Sequence, residues 1–99
     1  MKVSFVQSGG FVGTVKGCDL DTAALNPSEH QELERLVRGS GIARSGQFLS
    51  QTGRDLQQYD LVIEDGDRAV TVTFDDASVP RTAKPLLGYL KKHARPQAL

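Results

Sequence analysis

Two adjacent residues, Asp65 and Gly66, limit what this chain can fold into more than any others. Before them, Tyr59, Leu61 and Ile63 alternate with Asp60, Val62 and Glu64; after them, Val70, Val72 and Phe74 alternate with Thr71 and Thr73. Successive side chains on a strand point to opposite faces, so each run has one apolar and one wet face. Asp-Gly between two such runs is a strong type I′ turn signal. The segment reads as an antiparallel hairpin, and its apolar face needs a second layer to cover it.

The sequence offers that layer twice. In Asn26-Pro27-Ser28-Glu29, Asn can cap the free amides, Pro suits the first helical position, and Glu falls where a capping box wants an acid. Leu33, Leu36 and Val37 then form an apolar stripe, Glu34 and Arg38 pair four apart on the wet face, and Gly39 stops the helix. A second helix starts at about Thr82, with Pro85 tolerable only in its first turn and Leu86, Leu87 and Leu90 buried. Lys91, Lys92, His93 and Arg95 near its end complement the helix dipole; a phosphate site is the remoter reading.

At the start, Val3 and Phe5 alternate with Lys2 and Ser4, and Gly9-Gly10 supplies a tight bend. Val12 to Leu20 reads as the returning strand, weakened by Gly13 and Gly17. The order ββαββα predicts an α+β fold of two layers, a four-stranded, mostly antiparallel sheet with two helices on one face. At 99 residues the chain fits a single domain. Its predicted core is Val3, Phe5, Leu33, Leu36, Val37, Tyr59, Leu61, Ile63, Val70, Val72, Phe74, Leu86, Leu87 and Leu90.

Two stretches are poorly explained by folding alone. Ser8, Gly9, Gly10, Phe11, Val12 and Gly13 make a bend nearly bare of side chains that still carries one large apolar group. Such a tip suits a surface that approaches another molecule closely; a plain hairpin with Phe11 turned into the core is equally compatible with the composition. Residues 40–54 contain three glycines and no sustained period, and read as a long loop. Loops of that length in small domains are usually functional or disordered. Arg44, Gln47 and Arg54 are its candidate contact side chains, and Phe48 and Leu49 are expected to pin its middle to the core.

Composition narrows the function further. Twelve basic and twelve acidic residues cancel, which leaves no electrostatic footprint for nucleic acid or an anionic membrane. No apolar run approaches the roughly 20 residues of a spanning helix, and the N-terminus lacks the apolar core of a signal peptide. Cys18 is the sole cysteine, so no internal disulfide forms, and a reducing, cytoplasmic setting is expected. His30, His93 and Cys18 lack metal-ligand spacing, and no catalytic residue or cofactor is expected. Asp75 and Asp76 are strand neighbours facing opposite ways, so they are expected to accept turn amides before Pro80, not to share a proton.

Taken in order, Ser8-Gly9-Gly10-Phe11-Val12-Gly13, Asp55 with Tyr59-Asp60-Leu61-Val62-Ile63, Gly66, Val72-Thr73-Phe74-Asp75-Asp76 with Pro80, and Pro85-Leu86 with Leu90 form a pattern. It resembles the emfourin family of protealysin inhibitors across nearly the whole chain. Gln7 departs from it, since an arginine is common before the Ser-Gly-Gly of the family. The resemblance implies a small intracellular bacterial inhibitor of thermolysin-like zinc metalloproteases, a monomer when free. Ser8 to Gly13 would form the primary contact, with Arg44, Gln47 and Arg54 in a secondary one. A protein-binding adaptor that uses the same hairpin edge is the alternative.

Overall fold

A computed structural model describes residues 1–9, 15–50 and 56–96. Its strands are β1 (Lys2–Gly9), β2 (Lys16–Asp21), β3 (Gly46–Phe48), β4 (Gln57–Asp65), β5 (Arg68–Asp75) and β6 (Arg95–Pro96). Helix α1 (Pro27–Gly39) lies between β2 and β3, and α2 (Lys84–His93) between β5 and β6. All six strands join one sheet in the order β3-β5-β4-β1-β2-β6. Every pairing is antiparallel except β3 with β5, which is parallel.

The expected four-stranded, mostly antiparallel sheet is therefore corrected to a six-stranded mixed one. The α+β class and the two helices stand. Both additions are short edge strands. β3 has three residues, one of them glycine, and β6 has two, one of them proline. Neither is long enough to display an alternation, which needs about four residues. Their role is protective, since each covers an edge that would otherwise present unpaired backbone groups. Just before β3, Ser45 Oγ accepts the Thr71 amide at 2.9 Å and extends the cover.

The central hairpin forms with one difference. Asp65 faces Arg68, so the two turn residues are Gly66 and Asp67. Gly66 has φ +63°, and no described non-glycine residue has positive φ. Positive φ at the first central residue alone marks a type II′ turn in place of the type I′ expected at Asp65-Gly66. The α1 cap forms as expected: Asn26 Oδ1 accepts the Glu29 amide at 2.8 Å. Gly39 closes the helix as its last residue, and Gly41 (φ +76°), beyond the buried Ser40, makes the left-handed exit. Pro85 lies in the first turn of α2, where its missing amide breaks no bond.

One face of β1, β4 and β5 supplies Val3, Phe5, Tyr59, Leu61, Ile63, Val72 and Phe74 to a single core. The helices supply Leu33, Val37, Leu86, Leu87 and Leu90. Of the expected core, Leu36 and Val70 are only partly buried at its margin, and Ala83 is an unforeseen member. The opposite face of the sheet is polar. There Thr73 Oγ1 donates to Asp60 Oδ1 at 2.7 Å and Gln58 Nε2 donates to Asp60 Oδ2 at 3.1 Å. An antiparallel sheet tolerates one solvated face in this way.

Candidate functional site

Sheet topology ends β1 and β3 at one end of the fold. β1 is an interior strand, paired with β2 on one side and β4 on the other. It leaves the sheet at Gly9, opposite Gln57, the first residue of β4. β5 ends at Asp75 on that same end, and β3, running parallel to β5, ends there at Phe48. The chain segments that follow β1 and β3 therefore issue from the same end of the sheet.

The register of the first hairpin corrects the expected bend. A two-residue turn at Gly9-Gly10 would set Ser8 against Phe11 and Phe5 against Thr14. Instead Phe5 faces Cys18, and the last pair among the described residues is Gln7 with Lys16. Ser8 and Gly9 remain on β1, paired with β4. Gly9 has φ +81°, and a Cβ there would lie 3.3 Å from the Leu56 carbonyl oxygen. Glycine is required at this position for backbone conformation as well as for space. Gly10, Phe11, Val12 and Gly13 lie outside the described residues, as does Arg54.

A polar clamp fixes the base of this end. Gln57 and Asp76 are joined twice: the Asp76 amide donates to Gln57 O at 3.1 Å, and the Gln57 amide donates to the Asp76 side-chain Oδ2 at 3.0 Å. Tyr59 donates its hydroxyl to Asp76 Oδ1. Burial first, then the hydrogen bond and charge of Asp76, push the phenol above its usual range, so it stays a donor. Gln7 Nε2 donates to Gln57 Oε1 at 2.9 Å, which ties β1 into the same group. Lys91 of α2 places its ammonium 4.7 Å from the centre of the Tyr59 ring.

Asp75 anchors the neighbouring segments. Its carboxylate accepts the Ser50 amide on one oxygen, and on the other the amides of Ala77 and Ser78, each at 2.9 Å. The role expected for it in the turn before Pro80 is fulfilled, and it reaches the residue two beyond β3 as well. Burial alone would raise this carboxyl; the bonds from Ser50, Ala77 and Ser78 outweigh it and hold the group below its ordinary value. A depressed carboxyl stabilises the fold above its unfolded pKa and loses that contribution as the pH falls through the folded value. Asp75→Asn is accordingly expected to be destabilised at neutral pH and to lose less stability than wild type between about pH 5 and pH 3. Urea denaturation across that range measures the difference.

Among the described residues, no three His, Cys, Asp or Glu side chains are placed to hold a metal ion. No described helix is long and apolar enough to cross a membrane. His30 is taken up locally, with Nδ1 3.0 Å from Thr22 O and Nε2 3.1 Å from Glu34. Burial, then the charge of Asp19, raises the Cys18 thiol, the reverse of what a nucleophile needs.

The Emfourin family model matches residues 5–91. The chain belongs to the Emfourin family. Neither the curated proteins nor the solved structures contain a match to it. Emfourin is an inhibitor family, and membership suggests a metalloprotease inhibitor.

The Emfourin match runs from Phe5 on β1 to Lys91 on α2, and so covers both candidate segments and the whole clamp. In this emfourin chain Gln7 braces Gln57. Ser8 is half-buried opposite Gln58, on the polar face of the sheet. Arg44 and Gln47 are both exposed but are not brought together. Gln47 faces Thr73 in the β3–β5 register, whereas Arg44 lines a cavity of ≈ 340 Å³ with Phe48, Phe74 and Pro80. Phe48 pins the segment to the core as expected, through Phe74, but it and Leu49 stay more exposed than that role implies. Each is 47% exposed, although the Phe48 ring also stacks on Phe74. The run Gln47-Phe48-Leu49 between Gly46 and Ser50 was the available signal, and it was too short to read as an edge strand.

Proposed function

We propose that the chain inhibits thermolysin-like (protealysin-like) zinc metalloproteases by inserting residues 8–13 into the active-site cleft. Family membership over residues 5–91 carries this reading. Its physical support is the seating of β1. Competitive blockade requires a projection that loses little freedom on binding. A segment leaving an interior strand, paired on both sides and clamped through Gln7 and Gln57, has a firm base from which to project.

Ser8, Gly9, Gly10, Phe11, Val12 and Gly13 form the primary contact. The glycines let the backbone approach the cleft wall, and Phe11 fills the pocket that such enzymes, as a class, offer a bulky apolar residue beyond the scissile bond. Arg44, Gln47 and Arg54 contribute a secondary contact. The protein works as a cytoplasmic monomer without a cofactor and performs no chemistry of its own. Purified chain titrated against thermolysin at several peptide-substrate concentrations tests this. Competitive inhibition at 1:1 stoichiometry is expected. Binding that leaves turnover untouched would replace the inhibitor with an adaptor that uses the same hairpin edge.

A further inference from the structure

The described surface carries three exposed large hydrophobic residues, Val6, Phe48 and Leu49. Val6 stands alone at 36% exposure on the polar face of the sheet, between Gly17 and Asp60, and single exposed apolar residues are ordinary. Phe48 and Leu49 differ. They are consecutive, nearly half-exposed, and lie at the end of the sheet where β1 departs.

They are also held in place. The Phe48 ring stacks on Phe74 with centroids 5.6 Å apart and planes 25° apart. Gly46 leaves room for this pose, since a Cβ there would come within 2.9 Å of the ring. On the other side, the Ser50 amide is bound by the buried Asp75 carboxylate. Two exposed apolar side chains between fixed points lose little conformational freedom when covered, which favours their use as binding anchors. Arg44, exposed and without an ion pair among the described residues, lines the same cavity as Phe48.

We infer that Phe48 and Leu49 form a second anchor, which docks on an apolar patch at the rim of the protease cleft with an acidic group opposite Arg44. The inference rests on the inhibitory reading above and specifies its second surface. The occupant is the protease because the anchor shares an end of the sheet with the departing β1. A body large enough to receive residues 8–13 extends over that end. The anchor supplies affinity outside the catalytic pocket, so its loss acts on dissociation of the complex and leaves inhibition competitive.

The test uses the full chain carrying Phe48→Ser and Leu49→Ser together, with Leu49→Asp as a second variant that keeps the Phe48–Phe74 stack. Inhibition constants and dissociation rates are measured against thermolysin beside wild type, and circular dichroism confirms folding. The expected result is an inhibition constant raised about thirtyfold or more for the double variant, mostly through faster dissociation. Leu49→Asp is expected to shift it in the same direction. Wild-type inhibition matched by both folded variants would overturn the second anchor and leave the inhibitory reading standing. A wild-type chain that fails to inhibit overturns both readings, and the two failures are thereby told apart.

Discussion

Phe5→Ala is expected to cost the fold about 4 kcal/mol, the usual scale for deleting a buried aromatic ring. Phe5 is 1% exposed and lies between Leu61 and Cys18 on neighbouring strands, with its ring 6.1 Å from that of Tyr59 and 14° from parallel. The ring belongs to the close-packed core shared with the helices, so its removal leaves a cavity. Domains of this size are stable by roughly 5–15 kcal/mol in total, so the variant keeps only part of its margin. Urea denaturation should show a lowered midpoint with an unchanged slope. Val6→Ala, one residue on and facing the polar side, should shift stability by only about 0.5 kcal/mol. The contrast isolates the buried face of β1, the strand from which the proposed contact departs.

The second large effect concerns binding. Phe11→Ala is expected to raise the inhibition constant against thermolysin about thirtyfold, the scale of a lost aromatic anchor. Its denaturation midpoint should stay at the wild-type value. The two readouts together decide between the roles left open by composition. A ring turned into the core would show its loss in stability, as Phe5 does, whereas a ring that enters a protease pocket would show it only in inhibition.

Much of the fold was legible because strong local signals agreed with the tertiary solution. The Asn26 cap, the Leu33–Val37 stripe and the alternation around Gly66 each have a local physical cause, and each formed. What escaped was set by contacts distant in sequence. β3 exists because β5 presents an open edge twenty-six residues on, as between Gly46 and Val72, and nothing within Gly46-Gln47-Phe48 announces that edge. The first hairpin was misregistered for a related reason. Gly9-Gly10 looks like a turn locally, but the pairing of Gly9 with Gln57 keeps β1 extended through Gly9. For the candidate site, composition and family pattern singled out residues 8–13, of which Gly10 to Gly13 lie outside the described residues. The clamp of Gln7, Gln57, Tyr59 and Asp76 could not be read, because it joins side chains from three separated segments.

The central claim, that residues 8–13 occupy the protease cleft, is tested most directly by a photo-crosslinking phenylalanine analogue at position 11. The labelled chain is bound to thermolysin, irradiated, and the attachment site is mapped by mass spectrometry. Adducts on residues that line the active-site cleft are the predicted result. Adducts confined to the protease surface away from that cleft, in a complex that remains fully inhibited, would contradict it.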